Sequence, residues 1–260
     1  MTGWHWQQVG TAQWLTCELL SDWPHGFGCR RDGDPLRPPE LARYLGLDGQ
    51  PHWAYQVHGS GWDWADPAQT GCEAAERLVA DAVVTDVPGD SVWVCTADCV
   101  PIIVVGSWIE GEWVAAIHAG WRGTAAGILT EVIGHWLQKG IPPTSIRAAL
   151  GPAISGSAYQ VGADVAAQVL STLDPKHHQD PGLVMSDPQA GKVRLDVRRA
   201  NALQLQALGI PAANISICPY CTFEDPEAFF SYRRDHHRRK SDVQWSGISP
   251  RLPDIQTRMD

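Results

Sequence analysis

A chain of 260 residues with 44% hydrophobic and 19% charged residues carries enough apolar material to bury a sizeable core. Its net charge of −9 gives no basic field for nucleic acid or an anionic membrane. The amino terminus shows no basic-then-apolar leader, and the longest apolar run, VPIIVV, falls far short of the ~20 residues a membrane span needs. A soluble, cytoplasmic protein is expected.

No internal repeat, low-complexity stretch or long linker interrupts the chain, so one domain over 1–260 is expected. Residues 30–40 and 174–191, rich in Pro, Gly and Asp, read as loops. Strands are predicted in chain order at 52–58 (HWAYQVH), 81–85 (DAVVT), 91–97 (SVWVCTA), 101–107 (PIIVVGS), 113–118 (WVAAIH), 145–150 (SIRAAL) and 215–218 (ISIC). Helices are predicted at 124–138, 162–173 and 194–208. The first of these begins on a Thr124 cap, carries Ile128, Val132, Ile133, Trp136 and Leu137 on one stripe, and stops at Gly140 before Pro142. Several strands follow one another without an intervening helix. That order points to an α+β fold of mixed, sandwich-like sheets flanked by helices rather than a doubly wound parallel sheet.

Seven cysteines at irregular spacing make no disulfide framework, which leaves core packing, metal ligation or nucleophilic chemistry. Residues 101–118 read as a hairpin with its turn near 108–109. Position 99 then falls opposite 118, and the Cβ atoms of Cys99 and His118 would lie about 5 Å apart if directly opposed. His58, ending QVHG, is a third strand-end donor. Two histidines and a cysteine form a three-ligand set suited to Zn2+ with an open fourth position. The same set suits Cu2+, although no His-x-His pair supports a multi-copper cluster. Without a metal, Cys99 would be a thiolate activated by His118 or His58.

The CPYC at 218–221 resembles a redox motif, but only 39 residues follow it, too few to complete a thioredoxin-like fold. A four-cysteine site from Cys95, Cys99, Cys218 and Cys221 is opposed by geometry, because Cys95 and Cys99 on one extended strand would stand about 13 Å apart. An anion site has better support. Arg122 precedes a helix start at Thr124, and Arg30 and Arg233 can add charge-assisted contacts to phosphate or carboxylate. Arg234 shares the FFSYRRD segment, and the run continues through Arg238, Arg239 and Lys240 as a basic, solvated loop. Asp98 is a candidate general acid.

QVHG, DAVVTDVPG, VCTADCVPI, AAIHAGWRGT, ALGPAI with YQVG, and FFSYRRD, in this order, resemble the YfiH-like family, also known as the laccase-domain, polyphenol oxidase or purine nucleoside phosphorylase family. The resemblance runs from about residue 23 to 248. It implies mixed sheets flanked by helices, like the catalytic domain of a bacterial deamidase toxin, and a zinc-type site of His58, Cys99 and His118. It also implies phosphorolysis of adenosine, inosine and S-methyl-5′-thioadenosine, with a nucleoside and phosphate as small-molecule partners. Adenosine deamination, editing of peptidoglycan precursors and copper-linked oxidation of phenols are further family activities. A non-catalytic purine-binding protein is the alternative outside enzymology. Arg30 matches the family arginine, but the usual R-x-G-G-V-S…N segment is shortened here to RRDGDPLRPPELARYLGL.

Overall fold

The computed structural model describes residues 3–9, 12–30, 36–69, 77–109, 111–235 and 242–252. In chain order the first strands are β1 (Trp4–Val9), β2 (Ala12–Cys17), β3 (His25–Gly28), β4 (Pro51–Trp53) and β5 (Trp62–Trp64). They are followed by β6 (Ala82–Thr85), β7 (Ser91–Thr96), β8 (Val100–Trp108), β9 (Gly111–Ala119) and β10 (Ile146–Leu150). The last are β11 (Gln160–Gly162), β12 (Val184–Ser186), β13 (Lys192–Leu195), β14 (Ile215–Ile217) and β15 (Gln244–Ile248). Five helices accompany them: α1 (Pro38–Tyr44), α2 (Trp121–Ala125), α3 (Ile128–Gln138), α4 (Ala163–Leu170) and α5 (Val197–Ala207).

Two six-stranded sheets, β1-β2-β3-β15-β7-β4 and β14-β10-β8-β9-β6-β5, and a three-stranded sheet, β11-β13-β12, make the architecture. Antiparallel pairs dominate, with parallel pairing at β4–β7, β5–β6 and β10–β14, so the expected α+β class with mixed sheets holds. The near-continuous apolar run of β8 has a direct cause. Ile103 and Val105 pack with Leu15, Phe27, Val92 and Val94 of the first sheet, while Ile102 and Val104 pack with Ile128, Leu129, Val132 and Trp136 of α3. A strand buried on both faces has no solvent side to keep polar. On the outer face of the first sheet, Leu41 and Ala42 of α1 cover Trp93 and Trp245. Among the described residues, no helix is long and apolar enough to cross a membrane.

Several expectations shift. The expected strand at 52–58 is regular only over Pro51–Trp53, and His58 sits in irregular chain at φ 62°. The helix expected at 124–138 is two helices, because Gly127 takes a left-handed conformation (φ 78°) between them. Thr124 is no cap: it lies inside α2, fully buried, its Oγ1 paired with Asn201 of α5. Residues 194–195 of the helix expected at 194–208 belong to β13, and Asp196 caps α5 instead, accepting from the Arg199 N–H at 3.0 Å. The expected loop at 30–40 holds the start of α1, and that at 174–191 holds β12. Residues 31–35 of the shortened segment and 236–240 of the basic run lie outside the described residues.

Candidate metal centre

Four pieces of chain meet at one end of the two large sheets. Residues 97–99 form the bend that carries the chain from β7 in the first sheet to β8 in the second, and Cys99 lies on it. The β8–β9 hairpin closes between Trp108 and Gly111, one residue later than expected, so His118 pairs with Pro101 rather than with position 99. A shift of the turn centre by one residue moves the register by two, which leaves every side chain on its own face. Cys99 therefore still reaches His118, one step beyond the ladder and beside Gly120. A Cβ at Gly120 would stand 2.8 Å from the Cys99 Sγ, and one at Gly123 would stand 2.8 Å from the Gly59 carbonyl oxygen. These close approaches explain both glycines of HAGWRG.

The ligand atoms of His58, Cys99 and His118 lie within 4.8 Å of one another, and the two imidazole rings meet edge to face with centroids 4.7 Å apart. Tetrahedral zinc with bonds near 2.0–2.3 Å would hold such atoms roughly 3.5 Å apart, a closure that small rotations of exposed and half-buried side chains can supply. The donor set therefore fits a metal ion, and it is the one such group of three or more His, Cys, Asp or Glu side chains among the described residues.

Asp81 organises the cluster, and its role was not visible in DAVVT. The pairing of Ala82 with Ile117 sets Asp81 beside His118, whose N–H donates to the Asp81 carbonyl at 2.7 Å. Its fully buried carboxylate accepts from His118 Nδ1 at 2.8 Å and from the backbone N–H groups of His58 (2.9 Å), Gly59 (2.6 Å) and Val57 (3.3 Å). An ionised carboxylate only accepts, so the Nδ1 of His118 carries the proton and its Nε2 lone pair is left for a ligand. Burial pushes the Asp81 carboxyl up, but the hydrogen bonds from His118 and the Gly59 and His58 amides outweigh it and hold it below the usual carboxylate range. Burial likewise raises the Cys99 thiol, and the charge and hydrogen bonds of His118 and His58 reverse this, favouring thiolate. The His118 imidazole moves the opposite way: burial lowers it, and the neighbouring Cys99 and Asp81 raise it further than burial takes it down.

Among the described residues, His58 (φ 62°) and Asp98 (φ 94°) are the non-glycine residues in left-handed backbone conformations. Such strain persists where surroundings over-determine it. At His58 the three amides bound by Asp81 do so. At Asp98 the carboxylate accepts from Thr222 Oγ1 (2.6 Å), Ser231 Oγ (3.0 Å) and the Arg233 N–H (2.7 Å). The Asp98 oxygens thus tie the 222–233 segment to the metal corner and are committed as acceptors, which opposes a proton-donating role.

The candidate arginines separate. Arg233 donates to the Gln160 carbonyl at 2.8 Å and stacks over Tyr159, 4.9 Å from the ring centroid. Arg122 is exposed, stacks on Trp121 at 4.5 Å and makes no ion pair with a described residue. It lies within α2, a five-residue helix starting at Trp121, so the anion site expected at a helix start on Thr124 does not form there. Arg30 is tied to the 226–230 segment, donating to the Pro226 carbonyl at 2.7 Å and lying over Phe230. Arg234 is spent on the carbonyls of Thr222, Phe223 and Phe229 and on Asp235. Cys218 and Cys221 are buried free thiols, and Cys221 Sγ accepts the Ser155 N–H.

Mixed sheets with a His₂Cys cluster at one end define an α+β protein with a candidate metal centre. The chain belongs to the family described as multi-copper polyphenol oxidoreductase laccase, which matches residues 39–246. It is 40% identical to purine nucleoside phosphorylase slr1573 of Synechocystis, over 94% of this chain and 96% of that one. Adenosine deaminase RL5, from an unknown prokaryotic organism, is 38% identical over 59% of this chain and 56% of its own. The crystal structure of YlmD from Geobacillus stearothermophilus superposes with a TM-score of 0.81 at 28% identity, covering 95% of this chain and 98% of that one.

Proposed function

We propose that this chain is a zinc-dependent purine nucleoside phosphorylase acting on adenosine, inosine and S-methyl-5′-thioadenosine, with adenosine deaminase activity at the same corner. The observation that carries this reading is the cluster of His58, Cys99 and His118 with Asp81 behind it. The names of the relatives support an enzyme of this kind. His58 and His118 nitrogens and the Cys99 Sγ would hold the ion, leaving a fourth position open. Bound there, zinc supplies Lewis acidity and lowers the pKa of a water, the chemistry that attack at purine C6 requires.

The chain's own residues do the rest. Asp81 keeps His118 in the ligating tautomer. Arg122 and Arg233 offer guanidinium charge to phosphate. In phosphorolysis a phosphate oxygen bonds to ribose C1′ while the C1′–N9 bond breaks. Its electron pair leaves on the purine, which takes up a proton, and ribose 1-phosphate forms. Anionic phosphate held close also stabilises the oxocarbenium character of the sugar.

The test is product analysis with purified protein of measured zinc and copper content. Free base and ribose 1-phosphate should appear from inosine only with phosphate present, and inosine should appear from adenosine. Absence of both products would overturn the reading. A second reading rests on the thiolate that His118 and His58 favour at Cys99: an amidase acting on a muramyl-peptide precursor. It predicts amino acid release that survives chelation. Cu2+ in place of Zn2+ with phenol oxidation would support the copper alternative.

Gly120 supplies a further check. Gly120→Ala places a methyl against the Cys99 Sγ without backbone strain, since φ there is −73°. Zinc affinity should fall at least about tenfold in a chelator competition, with the melting temperature little changed. Unchanged affinity would mean that Cys99 is not a ligand.

A further inference from the structure

We propose that Tyr159 is a third member of the oxyanion clamp, its hydroxyl donating to a phosphate oxygen held by Arg122 and Arg233; this rests on the phosphorylase reading above. Tyr159 enters no motif with an evident chemical role, yet the fold fixes it firmly. Its N–H donates to the Ser155 carbonyl at 2.9 Å and its carbonyl accepts from Leu195 of β13 at 3.1 Å. The next residue, Gln160, receives Arg233 on its carbonyl and donates through its side chain to Asp187 at 2.9 Å. Asp187 in turn pairs with Arg194 at 3.0 Å. The three-stranded sheet therefore holds the tyrosine and the arginine as one unit.

Three features of that unit point to a ligand. The Arg233 guanidinium lies over the Tyr159 ring, 4.9 Å from its centroid, and pairs with no carboxylate among the described residues. The charges of Cys99, Arg233, Asp98 and Arg122 all act on the phenol group, so anionic and cationic groups from separate parts of the chain share its surroundings. Its hydroxyl makes no hydrogen bond with a described residue, whereas the buried polar groups of Asp98, Asp81 and Asn201 are all satisfied. A tyrosine hydroxyl without a partner among the described residues, on a ring covered by a guanidinium that has no carboxylate there, is completed by an acceptor-rich anion.

The protonation state suits the role. Burial, with the charge of Cys99 added, pushes the Tyr159 phenol up to about 12. It remains a neutral donor through the working pH range and adds no charge to repel phosphate. Cation–π stacking on the ring would in addition hold Arg233 in place.

These two functions are separable. Tyr159→Phe keeps the ring beneath Arg233 and removes only the hydroxyl; Tyr159→Leu removes both. The probe is inorganic phosphate, titrated calorimetrically into the protein as purified, alongside steady-state kinetics with inosine. Tyr159→Phe should weaken phosphate binding and raise the phosphate KM by about tenfold, the loss expected for one hydrogen bond to a charged acceptor, with the inosine KM little changed. Tyr159→Leu should lose more, and Arg122→Ala should weaken phosphate binding without altering the fold of Tyr159. Wild-type phosphate affinity in Tyr159→Phe, or no phosphate binding by the wild-type protein, overturns the clamp. Phosphate binding that depends on Tyr159 in a protein that releases no base from inosine sustains the clamp and overturns the phosphorylase reading instead.

Discussion

Cys99→Ala should lower phosphate-dependent base release by on the order of 10³-fold, comparable to removing a principal electrostatic element of an active site. On the metal-centre reading, Cys99 would supply the anionic donor of the cluster and the two imidazoles neutral ones. Zinc content measured after gel filtration should fall with activity. Because Cys99 lies on the bend at 97–99 rather than within either sheet, the protein should stay folded, with a near-wild-type melting temperature. Turnover that persists in this variant would remove the site assignment. Activity lost while zinc is fully retained would favour the nucleophile reading over the ligand reading.

Asp81→Ala should be strongly destabilising. It leaves the His118 Nδ1–H and the amides of His58 and Gly59 without their acceptor in a buried position. Breaking one side of such a buried pair costs about 3–5 kcal/mol, which denaturant unfolding can read directly. Asp81→Asn separates stability from tuning. It keeps the volume but presents an NH₂ to groups that are themselves donors, and it no longer fixes the His118 tautomer by charge. Metal affinity should drop about 10–100-fold, the range for groups behind a ligand, with stability less affected than in alanine. Equal affinity in Asp81→Asn and wild type would show that His118 needs no such support.

The apolar runs at 101–107 and 113–118 were legible because strands buried on both faces leave little doubt about their period and position. His58, Cys99 and His118 were legible because ligating residue types at strand ends are unusual. The hairpin register came out two residues from expectation, and the site survived only because an even shift preserves facing. Helix 124–138 read as continuous since Gly127 breaks it by conformation alone, without a proline. The strands β3 and β15 escaped notice for a different reason. HGFG and QWSGI look like loop sequence, yet their glycines permit close contact: a Cβ at Gly28 would meet the Trp245 carbonyl at 2.6 Å, and one at Gly247 would meet the Trp93 ring at 2.2 Å.

From sequence alone came the donor chemistry, the family and the α+β class, all of which depend on residue type, order and local period. The tertiary structure alone decided which polar groups serve the corner. Asp81 became the organiser because β6 pairs with β9, 37 residues apart at the His118 contact. Asp98 became a tether because it meets Ser231 across 133 residues. Arg30, Arg233 and Arg234 donate to backbone carbonyls, while Arg122 stacks on Trp121. Hydrogen-bond satisfaction is settled by neighbours in space, and no local pattern encodes those neighbours at such separations.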